Sequence, residues 1–387
     1  MTGASIAAGV TDVVLVVPPL VLVVLVLHAG VLAIIAANLV GFRRTRPQAA
    51  RTEPTEADPA APPLVSVLVP ARNEEANLRV LLPSLLAQRG VAFEVVVVDD
   101  ASEDGTWAVL GEHADPRLVA VRSTGPPPGW VGKTHALATA AGRATGSVFV
   151  FLDADAALRD PGALARLVGR WQAQGGPGTA LTGMPTYLDR GAALLLTSLV
   201  PFAVVAGLPV PLVPRTANPA ISALNGQFWA LGADDYRRLA PHTAHAAEVL
   251  EDVMIGRFLK RRGVRLHLVD VQAEVAVRMY GSFGEAWRGF RKNAYLLAGG
   301  RPGPFAAFFA VYALVWVVPS GLWGLGPVGL VPLATLVAAK ALVDRWQGFP
   351  LWVTLCAPLA LALGAALQLD SALAHARGRV SWKGRAV

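Results

Sequence analysis

From Val13 to Val40 the chain runs for 28 residues without an Asp, Glu, Lys or Arg. A helix of about 20 apolar residues is long enough to cross a bilayer. In hydrocarbon only a helix or a closed barrel satisfies its own backbone. The Pro18-Pro19 pair marks either a kink or the helix start, leaving Leu20–Val40 as the span. A cleaved signal peptide fits poorly, because no Lys or Arg precedes the run and the run is too long. Arg43, Arg44, Arg46 and Arg51 follow at once, which places this end in the cytoplasm and the N-terminus outside.

A second apolar region extends from Pro304 to about Leu369. Within Phe305–Lys340, seven Gly and Pro residues between Pro319 and Pro332 indicate two passes with a tight turn, or one pass and a re-entrant piece. Leu351–Leu369 reads as a further span. Three C-terminal passes would leave the tail outside, yet Arg377, Arg379, Lys383 and Arg385 favour the inside. The expected organisation is an anchor at 1–41, a basic Pro/Ala-rich linker at 42–63, a catalytic domain at 64–303, transmembrane helices at 304–370 and a basic tail at 371–387.

Hydrophobic residues form 54% of the chain and charged residues 16%, against roughly 25% charged in an ordinary soluble domain. Intrinsic disorder is excluded. The single cysteine, Cys356, excludes a disulfide framework and a Cys-rich zinc site. A net charge of +7 suits anionic lipid as well as nucleic acid. The apolar ends favour lipid, so a membrane and no nucleic acid is the expected partner.

Between the ends, short β-rich runs alternate with helical patterns. Strands are expected at Val65–Val69, Glu94–Val98, Leu118–Val121 and Ser147–Leu152. Helices are expected near Glu74–Gln88, Asp104–Glu112, Thr134–Arg143 and Val249–Arg262. Near-continuous Val/Leu strands separated by helices predict a Rossmann-like α/β domain with a mostly parallel sheet covered on both faces. Ligands of such sheets bind at the carboxyl ends of the strands. Those ends are polar: Pro70-Ala-Arg-Asn-Glu-Glu75, Asp99-Asp-Ala-Ser-Glu-Asp104 and Asp153-Ala-Asp155.

Asp153 and Asp155 lie two apart after an apolar strand, which in extended geometry puts both carboxylates on one side. That is a hard-oxygen site for Mg2+ or Mn2+ bridged to substrate phosphates. Two solvated turn residues are the plainer reading of the tripeptide alone. Asp99 and Asp100 suit a base N–H or sugar hydroxyls, or simply a strand-end turn. Gly132-Lys133-Thr134 resembles the end of a P-loop, but Pro127 stands where that motif needs Gly, so an NTPase is rejected. Lys133 can still meet a diphosphate as a point charge. His242 and His245 lie in an apparent loop and make a poor metal pair.

The ordered blocks Val65–Glu75, Val95–Thr106, Gly132–Leu137 and Phe149–Asp155 resemble family 2 glycosyltransferases of the GT-A fold. Pro128–Lys133, Asn225–Phe228, Trp287–Asn293 and Arg377–Arg385 look like the membrane-bound carotenoid- and hopanoid-associated members. The resemblance implies that Pro70, Ala71, Arg72 and Glu74 form the loop under the nucleotide. It implies Asp99 or, by the family pattern, Asp100 on uracil or ribose. It further implies Asp153 and Asp155 at the metal, Asp155 as the direct ligand. Asn225 and Gln227 would lie on the acceptor side. The family's base motif corresponds to Leu250-Glu251-Asp252, with Asp252 as base and Glu251 and Glu248 as competitors. Complementing the helix N-terminal dipole is the plainer role for Glu251 and Asp252. The Gln-x-x-Arg-Trp motif of processive synthases is absent, which argues for a single transfer.

Phe283, Trp287, Phe290 and Leu297 recur at helical spacing with Arg288, Arg291 and Lys292 interleaved. This suits a helix in the membrane interface, with Trp287, Arg288 and Arg291 on the acceptor side; an amphipathic helix packed on the sheet is the alternative. Gly191–Pro214 is apolar too. A true span there would separate Asp153 from Asp252, so an interfacial or re-entrant insert (191–214) is expected. The implied activity is inverting transfer of a sugar from a nucleotide sugar, with a UDP-hexose the expected donor, to a lipid such as a carotenoid or other isoprenoid. The site would face the cytoplasm of a plasma or inner membrane. Transfer to polyprenyl phosphate, and a transport protein with a degenerate transferase domain, are the competing readings.

Overall fold

The computed structural model describes residues 17–45, 65–382 and 385–386. Most of the linker (46–64) lies outside the described residues, with Arg46 and Arg51; so does Lys383 of the tail.

The strands are β1 (Val65–Ala71), β2 (Phe93–Asp100), β3 (Leu118–Ser123), β4 (Val148–Leu152), β5 (Ala156–Leu158), β6 (Thr179–Met184), β7 (Thr186–Tyr187), β8 (Phe228–Gly232), β9 (Arg265–Asp270) and β10 (Val275–Val277). Seven of them form one sheet in the order β3-β2-β1-β4-β8-β6-β9, and β5, β10 and β7 form a small second sheet. β3, β2, β1 and β4 run parallel, as their continuous apolar sequences predict. The antiparallel β8, paired with both β4 and β6, is not foreseen by the sequence reading.

Alternation along the strands builds two cores. Val65, Val67 and Val69 of β1, with Val95 and Val97 of β2, meet Leu78, Leu81, Leu82 and Leu85 of the helix Glu75–Leu86. Those leucines recur at the spacing of one helical face. Leu68, Val96, Val98, Phe149 and Phe151 point the other way, onto Ala136, Leu137 and Ala140 of the helix Gly132–Arg143. One polar knot lies inside the start of the sheet. Glu94 Oε1 accepts from Ser66 Oγ at 2.6 Å and from Thr145 N–H at 2.6 Å, while Gly146 N–H donates to Ser66 Oγ at 2.8 Å. Such a buried carboxylate is tolerable only when its hydrogen bonds are made.

Among the described residues four helices have the length and apolar character of a membrane span: Pro19–Arg44, Pro302–Leu325, Pro327–Gln347 and Ala357–Ala376. The first begins at Pro19, so the proline pair starts the helix rather than kinking it. The second begins as α-helix, widens to π geometry over Ala313–Val317 and tightens to 3-10 geometry over Val318–Leu325. It turns at Gly326, whose φ of +71° suits glycine, into the third. The fourth is preceded by a short helix, Leu351–Leu355, and a break at Cys356.

Two buried polar groups bind these helices. His28 contacts Thr335 Oγ1 at 2.6 Å and Val315 O at 2.8 Å. Asn38 donates to Val205 O and Leu208 O and accepts from Val210 N–H, all within 2.9 Å. Asn38 thereby ties the first helix to the apolar insert. The insert is a succession of short helical pieces, among them Leu199–Gly207 and Val210–Arg215.

Gly146 has no room for a side chain, since a Cβ there would stand 2.7 Å from Ser66 N and 2.9 Å from the Val65 carbonyl carbon. Gly146→Ala is therefore expected to destabilise the domain by about 1–3 kcal/mol, the usual cost of overpacking. A lowered thermal midpoint of the detergent-solubilised protein checks this; an unchanged midpoint contradicts it.

Candidate active site

The rim begins with two interlocked loops. After β1, Arg72 Nη1 donates to Asp100 O and Ala101 O, each at 2.9 Å. Asn73 N–H donates to Ser102 Oγ at 2.9 Å, and Asn73 Oδ1 accepts from Glu103 N–H at 2.8 Å. Glu74 N–H donates to Thr106 Oγ1 and Glu74 Oε2 accepts from Asn77 Nδ2. Asn73 and Ala101 hold left-handed φ of +51° and +53°. Such conformations persist in non-glycine residues when the surroundings fix them. Arg72 and Glu74 thus shape the floor that Pro70 and Ala71 lead into.

Asp99 and Asp100 are both buried at the end of β2. Asp99 Oδ1 accepts from Ser102 N–H at 3.0 Å, a turn-forming bond. Asp100, one residue on, lies on the opposite face of the strand, with Val96 and Val98, toward the helix that starts at Gly132.

Four residues from three segments far apart in sequence meet around Gly226. Lys133 Nζ is 2.7 Å from Asp153 Oδ1 and 2.8 Å from Glu251 Oε1. Asp252 Oδ2 accepts from Gly226 N–H at 3.1 Å, and Asp252 Oδ1 from Val253 N–H at 2.8 Å. A Cβ at Gly226 would stand 2.9 Å from Lys133 Nζ, 3.5 Å from Asp252 Oδ2 and 3.7 Å from Asp153 Oδ2. Each residue has its own support. Lys133 opens the helix Gly132–Arg143, Asp153 ends β4, and Glu251 and Asp252 open the helix Glu251–Arg261. Because Asp153 and Asp252 meet here, the chain that carries the apolar insert begins and ends at this centre.

The electrostatics follow from this crowding. Burial and then the neighbouring Glu251 charge push Asp252 up to about 6, against Lys133 and the two backbone donors. Burial also raises Asp153, against the pull of Lys133. Burial works to lower Lys133, but Asp153, Glu251 and Asp252 around it raise it well above the ordinary lysine value, so it stays charged.

Asp153-Ala-Asp155 is a turn closed by Ala156 N–H to Asp153 O at 3.1 Å, not an extended strand end. The i, i+2 argument for a shared side therefore does not apply as expected. Asp155 lies close enough to Tyr187 and Tyr280 for its charge to raise both phenols, burial being the larger cause. Among the described residues no group of three or more His, Cys, Asp or Glu could hold an ion by itself. The carboxylates of Asp153 and Asp155 are still the right hard-oxygen donors for a divalent ion that takes its other ligands from substrate phosphate and water.

The remaining expected residues fall elsewhere. Asn225 Nδ2 donates to Gly183 O at 3.0 Å and to Gln227 Oε1 at 3.3 Å, so this pair shapes the loop that presents Gly226. The helix Phe283–Leu297 forms, capped by Ser282, but Trp287 Nε1 donates to Asp370 at 2.8 Å and Arg291 lies 3.8 Å from the same carboxylate. Arg288 is exposed. Phe283, Trp287 and Phe290 pack on Ala193, Leu196 and Leu367 rather than on the main sheet. Lys292, by contrast, is near enough to Asp153 for its charge to lower that carboxyl. Sequence reasoning placed it only on an interfacial face; nothing in the local pattern separates it from Arg288 or Arg291. His242 is a core residue. It bonds Tyr236 OH at 2.8 Å among Phe151 and Trp229, and burial drives it down to about 3, so it stays neutral.

Residues 66–184 match the family described as Glycosyl transferase family 2. A 4,4'-diaponeurosporenoate glycosyltransferase of Staphylococcus haemolyticus is 26% identical over 222 residues, 56% of this chain and 56% of its own length. The chain thus aligns with little more than half of that relative. A protein of the same name from Staphylococcus aureus strain MRSA252 is 24% identical over 332 residues, 83% of this chain and 87% of the relative. Among solved structures, a mannosyltransferase from Pyrobaculum calidifontis, determined with GDP-mannose and Mn2+, superposes with a TM-score of 0.50 at 24% identity. It covers 95% of this chain and 100% of its own. The α/β domain is thus GT-A-like, with several long apolar helices, most of them C-terminal.

Gly226→Ala is expected to leave the fold intact, because Lys133 can swing aside, yet to break the Lys133–Asp153–Glu251 arrangement. An unchanged melting profile with nucleotide-sugar binding reduced tenfold or more, by calorimetry, is the outcome that checks it.

Proposed function

We propose that this chain, whose residues 66–184 match glycosyltransferase family 2, moves a sugar from a nucleotide sugar to the hydroxyl or acid group of an isoprenoid lipid at the membrane surface. The observation that carries the reading is the meeting of Lys133, Asp153, Glu251 and Asp252 around one glycine, at the carboxyl end of a parallel sheet. The names of the Staphylococcus relatives support a carotenoid acid as the acceptor class. The apolar helices support a membrane setting, and Arg43 and Arg44 support a cytoplasmic catalytic face. A UDP-hexose donor and inversion at the anomeric carbon belong to the same reading.

Asp252 is the base. A carboxylate with its pKa at about 6 is mostly ionised at neutral pH yet basic enough to take the acceptor proton as the oxygen attacks. Gly226 N–H and Val253 N–H fix its orientation. Lys133 holds Asp153 and Glu251 in place and offsets their charge next to the leaving diphosphate. Asp100 takes the ribose or base, on the floor built by Arg72 and Asn73. Asp153 and Asp155 would hold a divalent ion, which would supply Lewis-acid neutralisation of charge on the departing diphosphate.

The test is transfer by the purified protein, with Mn2+ or Mg2+, a panel of nucleotide sugars and a lipid extract, read by the mass of the product. A glycolipid product is expected, lost on chelation and restored by either ion. With a hydroxyl acceptor, Asp252→Asn is expected to lower turnover by about 10²–10⁴-fold, the usual weight of a general base. Full activity in that variant would instead favour an acceptor already ionised at neutral pH, a carboxylate or a phosphate, which needs little base. The pH dependence has a definite sign. Activity should fall as pH drops through about 6, where Asp252 protonates. Because the Glu251 charge raises Asp252, Glu251→Gln should move that acid limb to lower pH. A limb that stays in place or rises removes Asp252 from the role.

A further inference from the structure

We infer that the helix Ala357–Ala376 does not cross the bilayer but lies along its surface, clamped between the catalytic domain and the acyl chains. The inference rests on the membrane half of the proposed function and is independent of the reaction. A helix of 20 residues is about 30 Å long, enough to cross. A crossing helix must carry its two ends to opposite faces, and this one is tied to the catalytic domain just ahead of its start and again near its end.

Just ahead of its start, Phe349 stacks on Tyr187 of β7 with ring centroids 6.5 Å apart, and Trp346 Nε1 donates to Asp270 Oδ2 of β9 at 3.2 Å. Just before it, Thr354 Oγ1 donates to Asp344 Oδ2 at 2.8 Å. At its middle, a Cβ on Gly364 would stand 3.0 Å from Leu199 Cδ1 of the insert, and Leu367 packs on Ala193, Leu196 and Ala286. Near its end, Asp370 accepts from Trp287 Nε1, and Ser371 Oγ accepts from Tyr295 N–H at 2.9 Å. Trp287 and Tyr295 belong to the helix that brings Lys292 toward Asp153. From Gly364 onward the helix thus follows the insert and the helix Phe283–Leu297, while at Leu361 its carbonyl accepts from Tyr312 OH of the second apolar helix at 2.9 Å.

The opposite face is uniformly apolar. Leu351 and Leu355 of the preceding helix, then Leu359, Leu369 and Leu373, are 44–71% exposed. Ala362 and Ala366 fill the same line, at steps of three and four residues, and no charge interrupts it. An apolar stripe of that length is unsuited to water and suited to lipid. Arg377 and Arg379 follow at once and are exposed, which suits anionic headgroups. The hairpin Pro302–Leu325 and Pro327–Gln347 is different, because its turn at Gly326 leaves Trp323 and Leu325 exposed. With the first helix it makes three crossings. An odd number returns the basic tail to the catalytic side and removes the conflict between tail charge and helix count.

Two measurements on the full-length protein, in a Cys356→Ser background, test this. In nanodiscs of phosphatidylcholine and phosphatidylglycerol, spin labels at Leu355→Cys, Ala362→Cys and Leu369→Cys are read for depth. A surface helix gives one shallow depth, about 5–10 Å, at all three. A crossing helix gives depths that change by roughly 10 Å over each seven residues, and that result overturns the inference. In sealed vesicles, an impermeant maleimide should reach Arg379→Cys from the same side as Asp234→Cys, and Gly324→Cys from the other. Arg379→Cys reacting together with Gly324→Cys would also overturn it. Neither readout requires turnover, so an inactive transferase leaves this result intact and a crossing helix leaves the transferase reading intact. Leu359→Cys and Ala366→Cys, on the same face, replace any variant that fails to reach the membrane.

Discussion

Three carboxylates crowd one ammonium group, and the architecture is arranged to keep them there. Lys133 touches Asp153 and Glu251 directly, with Asp252 across Gly226. Two charges brought this close without a counter-ion would cost several kcal/mol each to desolvate. The parallel sheet supplies Asp153, one helix start supplies Lys133, and another supplies Glu251 and Asp252. Nearly 100 residues separate Asp153 from Asp252, and the apolar insert lies among them. Any path for that insert must bring the chain back to Gly226.

The sequence made much of the sheet legible. β1, β2 and β4 are runs of Val, Leu and Phe buried on both faces, the pattern expected of a covered parallel strand. β8 was not legible. Phe228–Gly232 is five residues long, and its place between β4 and β6 is decided by packing of Trp229 on Phe151, rings 3.8 Å apart, which no local pattern encodes. At the site, Lys133, Asp153, Glu251 and Asp252 were named from motif order, and the structure brings them together. Trp287 and Arg291 were assigned to the acceptor side from helical spacing. Spacing defines a face but not what the face meets, and here it meets Asp370.

The membrane part shows the same division. Apolar length marks every candidate span, yet length alone cannot tell a helix surrounded by lipid from one with a face on protein. The polar groups make that distinction. Asn38 and His28 sit in apolar helices with their side-chain partners on neighbouring helices or the insert. Lys340 pairs with Asp344 in the third helix and reaches Ser198 of the insert at 3.0 Å. Unpaired, any of these would be expensive in hydrocarbon. Their pairing requires the helices and the catalytic domain to fold as one unit.

The interlocked loops of Arg72, Asn73 and Ser102 have a thermodynamic consequence for the donor. A floor already fixed by its own hydrogen bonds, with two left-handed residues set in place, loses little conformational entropy when a nucleotide settles on it. The ordering cost falls in folding instead of in each catalytic cycle. On the proposed reading, these two loops would add little ordering cost to donor binding.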